Sequence, residues 1–207
     1  MTSSASPLSL AIIAGGQSRR MGRDKAFVEL GGATLIERVI QRSADLGQAE
    51  TILITNKPAD YAHLGLPMHR DAMPDKGSLG GIYTALLQAA SEYVLVLACD
   101  MPFVNPDLLR FMIAQLDADT DIVVPRVAGY PQALHAIYRT ICIQPIRAQL
   151  AASRLKIIRF YDQMRVRYLD EAEYAEFDAG SRSFANLNTP AELEQARQLL
   201  RDGADAN

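Results

Sequence analysis

The sequence predicts an α/β fold, a single domain on a doubly wound, mostly parallel sheet of Rossmann-like plan. Short apolar runs rich in β-formers alternate four times with helical periodicities, the pattern of strands joined by crossover helices. The acidic, amide and glycine residues suited to chemistry lie where those runs stop. Open α/β sheets collect ligands at that carboxyl edge.

At 207 residues, 49% hydrophobic and 22% charged, the chain suits one domain with a substantial core. Its formal net charge of −3 gives no bulk electrostatic reason to expect nucleic acid or an acidic membrane as partner. No apolar run approaches the roughly 20 residues that span a bilayer. Residues 1–7, Met-Thr-Ser-Ser-Ala-Ser-Pro, lack the basic start and apolar centre of a signal peptide and read as a disordered leader to a domain over 8–201. Cys99 and Cys142 sit far apart inside apolar runs, which points to buried free thiols and a cytoplasmic protein. Asp100 beside Cys99 disfavours a thiolate there.

Leu8–Ile13 is the first strand, apolar throughout as a fully buried strand is. Gly31-Gly32 marks a turn, and Thr34 caps a helix to about Asp45 with Leu35, Ile36, Val39, Ile40 and Leu46 on its inner side. Thr51–Thr55 and Met68–Arg70 are strands. The stretch Asp71–Gly81, holding Pro74, Gly77, Ser78, Gly80 and Gly81, reads as a loop leading into a helix over Leu79–Ala90. Tyr93–Ala98 is the most hydrophobic strand and stops at Cys99-Asp100-Met101-Pro102. Pro106 opens a helix over Asp107–Leu116, in the position proline tolerates best. Ile122–Pro125, Leu134–Tyr138 and Val166–Leu169 are further strands, with helices at Ile141–Ala152 and Ala191–Leu200. No repeat or low-complexity segment interrupts them. The later half reads as an elaboration on the same sheet.

The stretch after Ile13 calls for a polyphosphate. Ala14, Gly15 and Gly16 remove side chains where the chain leaves the sheet, so backbone N–H groups can turn onto anionic oxygens. Arg19, Arg20, Arg23 and Lys25 then place four cations within seven residues. There is no Gly-x-x-x-x-Gly-Lys-Ser/Thr loop and no Gly-x-Gly-x-x-Gly fingerprint at this position. Asp100, a carboxylate ending a buried strand, is a magnesium ligand or, alternatively, a helix cap or turn residue. Asp71 begins the glycine-rich stretch. Its carboxylate can accept from N1 and N2 of guanine together, a paired donor edge that cytosine and uracil lack; the alternative is a surface turn.

Ala14-Gly15-Gly16-Gln17-Ser18-Arg19-Arg20-Met21-Gly22-Arg23-Asp24-Lys25 resembles the nucleotidyltransferase signature Ala-Gly-Gly-x-Ser-x-Arg-Met-Gly-x-Asp-Lys. Within that superfamily it is most similar to the molybdenum cofactor guanylyltransferases. Cys99-Asp100-Met101-Pro102 resembles the family's Cys-Asp-x-Pro. Pro131-Gln132-Ala133-Leu134-His135-Ala136 resembles its Glu/Gln-Pro-Leu-His-Ala, and Asn186-Leu187-Asn188-Thr189-Pro190 its Asn-x-Asn-Thr-Pro ending.

The resemblance implies a nucleotide-diphospho-sugar transferase type of fold, with 8–128 as nucleotide-binding half and 129–201 as acceptor-side half. It implies transfer of GMP from GTP to the terminal phosphate of Mo-molybdopterin with Mg²⁺, and molybdoenzyme maturation proteins as a further class of partner. Lys25, Arg19, Arg20 and Asp100 become catalytic candidates. Ile13, Ala14, Gly15, Gly16, Lys25, Asn56, Asp71, Gly80 and Asp100 become nucleotide contacts. Asp100 and Asn188 fall on the metal side, and His135, Asn186 and Asn188 on the acceptor side.

His135 is equally a satisfied histidine on a half-buried strand, and Asn188 or Thr189 can cap the last helix. Arg154, Lys156, Arg159, Arg165 and Arg167 are either a solvated face or a phosphate grip. Molybdopterin cytidylyl transfer, sugar-1-phosphate nucleotidyl transfer and non-catalytic delivery of a nucleotide-bound cofactor remain the rival readings.

Overall fold

The computed structural model describes residues 8–14 and 24–201. Strand β1 (Leu8–Ile13) precedes a 3-10 turn at Lys25–Phe27, a small hairpin of β2 (Glu29–Leu30) and β3 (Ala33–Thr34), and helix α1 (Leu35–Arg42). Thr34 starts α1 through a capping box with Glu37, as the Thr-x-x-Glu spacing dictates. The helix stops at Arg42, short of the expected Asp45, with Ser43 as its C-cap. Strand β4 (Glu50–Ile54), the single turn α2 (Pro58–Tyr61) and strand β5 (Met68–His69) follow.

Helix α3 (Gly77–Gln88) begins inside the stretch expected to be loop. Two of its glycines serve packing. A Cβ on Gly80 would lie 2.9 Å from Lys76 Cβ and 3.2 Å from the Met73 carbonyl, and one on Gly81 would lie 3.0 Å from Ile13. The bare Gly81 lets the helix close on β1, and the Gly80 amide is already spent on the Lys76 carbonyl at 3.3 Å.

Strand β6 (Tyr93–Ala98) leads to α4 (Pro106–Ala114), then to β7 (Ile122–Val127), β8 (Tyr130–Pro131) and β9 (His135–Arg139). Ala128 and Gly129 turn the β7–β8 hairpin, both at positive φ. Helix α5 (Ile143–Ala151), strand β10 (Val166–Leu169), helix α6 (Glu171–Asp178) and helix α7 (Pro190–Arg201) complete the described chain.

The main sheet runs β10-β7-β9-β6-β1-β4-β5, with β8 paired beside β7. Neighbours are parallel except where β9 pairs with β6 and β7 and where β8 returns along β7. Alternate residues of the central strands point to opposite faces. Leu8, Leu10, Ile12, Leu53, Leu95 and Leu97 pack with Ile36 and Val39 of α1 and Leu108 and Met112 of α4. Ala11, Ile13, Ile52, Ile54, Val94 and Val96 pack with Leu79, Ile82 and Leu86 of α3 and Ile146 and Leu150 of α5. The sheet is therefore doubly wound, as the strand–helix alternation predicts.

A third cluster joins Leu30, Leu35, Phe103 and Leu187 to Leu193 and Ala196 of α7. Burying each of its leucines contributes about 1.5–3 kcal/mol. That is enough to seat the start of α7 against the ends of the central strands, where the candidate site lies.

Candidate active site

Four parallel strands end side by side. The Ala14 amide donates to the Ile54 carbonyl (2.9 Å), Cys99 to Ile13 (3.2 Å) and Thr55 to His69 (2.9 Å), so hydrogen bonds continue just past the strand ends. Connections leave β1 toward β4 and β6 toward β7, in opposite directions along the sheet. The gap between β1 and β6 is thus the topological switch point, where open sheets bind ligands.

Lys25 and Asp100 meet there. Asp24 caps the 3-10 turn with its Oδ1 on the Ala26 amide (3.2 Å), which sets the base of the Lys25 side chain. Lys25 Nζ then donates to Asp100 Oδ2 at 2.6 Å and to Asn188 Oδ1 at 2.5 Å. The lysine and aspartate side chains are only 12% and 19% exposed, so their attraction is less screened than at an open surface. Asp100 is not a helix cap. Asn105 does that work for α4, its Oδ1 accepting from Asp107 (2.8 Å) and Leu108 (3.3 Å).

Asn188 is relieved of capping in the same way. Thr189 Oγ1 accepts from the Glu192 amide (3.2 Å), while Glu192 Oε2 accepts from the amides of Asn188 (2.6 Å) and Thr189 (2.8 Å). The Leu187 amide donates to the Asp100 carbonyl (3.1 Å), which ties the two segments together. The asparagine side chain is left to point into the site. Asn186 is exposed, and Asn188 is the one of the two that reaches Lys25. Asp24, part of the signature, and Glu192, whose Thr189-x-x-Glu192 spacing is that of a capping box, support the site without facing it.

A second polar pair stands beyond β4 and β5. Asn56 Nδ2 donates to Asp71 Oδ2 (2.8 Å), and the Asp71 amide donates back to Asn56 Oδ1 (3.0 Å). Burial pushes the Asp71 carboxyl above its ordinary pKa, and the Asn56 hydrogen bond only partly offsets it. Asp71 is therefore a carboxyl group whose charged form burial disfavours, with the Asn56 amide as its side-chain partner among the described residues.

His135 belongs elsewhere. It is wholly buried on β9 opposite Leu97, with its ring edge-on to Phe184 at 4.8 Å. Burial drives its pKa down to about 3, so it is neutral. An acceptor-side contact does not fit a ring shut inside the core. Arg165 and Arg167 are no phosphate grip either. Arg165 binds Asp119 and Asp121 before the start of β7, at the opposite edge of the sheet, and Arg167 pairs with Glu173. Burial, with Asp100 adding to it, raises the Cys99 thiol far above its ordinary range, so it is no nucleophile. Gly15, Gly16, Arg19 and Arg20 lie outside the described residues. Ile13 and Ala14 line the switch point, and Gly80 is buried in α3.

Fold and site together define a protein of the nucleotidyltransferase class. The family described as the MobA-like NTP transferase domain matches residues 10–168, and the chain belongs to it. It is 36% identical to a probable molybdenum cofactor guanylyltransferase of Natranaerobius thermophilus, over 93% of this chain and 96% of that one. It is 39% identical to one of Pelotomaculum thermopropionicum, over 92% of each. Among solved structures it is similar to molybdopterin-guanine dinucleotide biosynthesis protein A of Archaeoglobus fulgidus, with a TM-score of 0.81, 27% identity, and 94% of this chain and 99% of that one covered.

Proposed function

We propose that this chain transfers GMP from GTP to the terminal phosphate of Mo-molybdopterin, giving the guanine dinucleotide cofactor and pyrophosphate. The names of its relatives support the reaction. The observation that carries it is the Lys25 ammonium held between Asp100 and Asn188 at the switch point.

An oxygen of the acceptor phosphate attacks the α-phosphorus in line, the bond from that phosphorus to the bridging oxygen breaks, and pyrophosphate leaves. A phosphate acceptor is already ionised at neutral pH, so no side chain has to remove a proton. The protein's work is positioning and neutralising charge. Lys25 supplies a compact positive charge to the phosphate oxygens, in this reading with Arg19, Arg20 and the Gly15 and Gly16 amides. Asp71 takes the N1 and N2 donors of guanine, and Asn56 sets the rotation of its carboxylate.

Asp100 and Asn188 would hold Mg²⁺. Their oxygens already converge on one cationic nitrogen, which is the donor chemistry such an ion needs. Among the described residues no group of three or more His, Cys, Asp or Glu could hold a metal. One carboxylate and one amide oxygen suit Mg²⁺, whose shell is completed by substrate phosphates and water. When bound, that ion neutralises negative charge on the phosphates. No described helix is long and apolar enough to cross a membrane; a cytoplasmic site of action and hand-over to molybdoenzyme maturation proteins complete the reading.

Pyrophosphate release should be measured with each of the four nucleoside triphosphates, Mg²⁺ and Mo-molybdopterin. Release with GTP, lost in Asp100→Ala, is the expected result. Release with CTP instead would make this a cytidylyltransferase. No release with any of the four would leave a delivery protein or, if a sugar 1-phosphate in place of Mo-molybdopterin restores release, a sugar-1-phosphate nucleotidyltransferase.

A further inference from the structure

We infer that Lys25 and a divalent cation are alternative occupants of one pair of oxygens, so that the protein takes up the cation only together with a triphosphate that draws Lys25 away. This rests on the reading of Asp100 and Asn188 as the metal-side pair. Lys25 Nζ lies 2.6 Å from Asp100 Oδ2 and 2.5 Å from Asn188 Oδ1, so it occupies the two oxygens that would hold the ion. Magnesium–oxygen bonds are about 2.0–2.1 Å, so an ammonium and a metal ion on the same oxygens would collide and repel. One must leave for the other to enter.

The surroundings say which one moves. The backbone that carries both oxygens is tied down: the Asp100 carbonyl accepts from the Leu187 amide, and Glu192 accepts from the backbone amide of Asn188. Lys25 is a point charge on a flexible four-carbon stem, with three donors and no rigid fork to hold it. Two of those donors are spent on Asp100 and Asn188. A triphosphate offers several anionic oxygens against one carboxylate oxygen and a neutral amide. Nucleotide binding therefore moves Lys25 from the metal oxygens to the phosphates, and the same step opens the seat for the ion. The consequence is ordered loading, in which metal alone is refused and metal with nucleotide is accepted.

The test uses Mn²⁺ alone as probe, followed by electron paramagnetic resonance on the full chain without nucleotide. Lys25→Met and Lys25→Ala should each bind one Mn²⁺ about tenfold or more tighter than wild type, the scale typical of coupled sites. Adding Asp100→Asn should abolish the gain. Equal Mn²⁺ affinity in wild type and both variants overturns the inference. A second readout needs no variant: metal-free GTP should shift the ¹⁵N resonance of the Lys25 ammonium, and an unchanged resonance on saturation overturns it equally. The underlying reading fails separately, if Asp100→Asn leaves binding of the Mn²⁺–GTP complex to wild-type levels intact.

Discussion

Two ion pairs of the sheet, one ahead of β7 and one just past the ends of β1 and β6, differ in how completely their charges are used. At the amino edge, Asp121 precedes β7 and takes Arg165 through its Oδ1 (2.8 Å) and through Oδ2, which accepts from both Nε (3.1 Å) and the backbone amide (3.0 Å). Arg139 stands 3.8 Å away and is itself paired with Glu92. This is arginine chemistry, a planar fork on a carboxylate with both oxygens occupied. At the carboxyl edge, Asp100 gives one oxygen to a lysine. Among the described residues the Asp71 carboxylate accepts from Asn56 through one oxygen, while the Asp71 amide donates to Asn56 Oδ1. A saturated pair builds the fold. An under-used one is held ready for something else.

The largest effect should come from breaking the under-used end. Lys25→Ala and Asp100→Ala should each lower turnover by about a hundred- to a thousandfold, the scale for removing a charge-stabilising donor. Thermal unfolding of the two variants should stay near wild type. A drop in turnover that merely follows lost folded protein would erase the contrast between the two edges. Asp71→Ala sharpens it next. Losing hydrogen bonds to a charged acceptor is worth about 1.5–3 kcal/mol, or roughly 10- to 150-fold in binding. That loss should appear in GTP affinity and be much smaller for ITP, which lacks the N2 donor.

The two edges should also answer pH with opposite signs. Hydrogen bonding from Arg165 holds the Asp121 carboxyl below its ordinary value of 3.8. Its stabilising effect is therefore present above that value and is lost as pH falls through the lower, folded one. Asp71 is raised by burial, so its ionised form is the one the fold disfavours, and its cost appears as pH rises through the folded value. Asp121→Asn should lower the melting temperature at neutral pH by a few degrees and flatten the acid limb. Asp71→Asn should leave the melting temperature unchanged or raise it. Equal losses in both would remove the distinction.

What was readable in the sequence follows the same division between local and distant causes. Leu8–Ile13 and Tyr93–Ala98 are strands in the structure as their unbroken apolar runs demand, and Thr34 with Glu37 announces α1 within four residues. Asp100 was legible because a carboxylate ending such a run has no packing purpose. Helix α6 was not: of its eight residues only Tyr174 and Asp178 are buried, too few to impose a period. The glycines of α3 mimic a loop because each has a different reason: a positive φ at Gly77, the nearby Lys76 Cβ and Met73 carbonyl at Gly80, and at Gly81 the close approach of β1, distant in sequence. His135 shows the same limit. Its motif resembles an acceptor-side segment and equally suits a half-buried strand, but insertion of β9 between β6 and β7 buries it wholly, and no local pattern reports that pairing.

The smallest expected effect tests whether the carboxyl edge is braced or merely assembled. Glu192 touches neither Lys25 nor Asp100 by a hydrogen bond. It accepts from the amides of Asn188 and Thr189, and that bonding lowers its own pKa. Glu192→Ala should free the Asn188 backbone and lower turnover far less than Asp100→Ala does, with a matching weakening of Mn²⁺–GTP binding. Glu192→Gln should restore both, because a glutamine oxygen serves in a capping box as glutamate does. A merely helix-stabilising role would move the melting temperature and leave metal–nucleotide affinity alone. A loss of affinity rescued by glutamine would instead trace the position of one amide oxygen at the switch point to the first turn of the last helix.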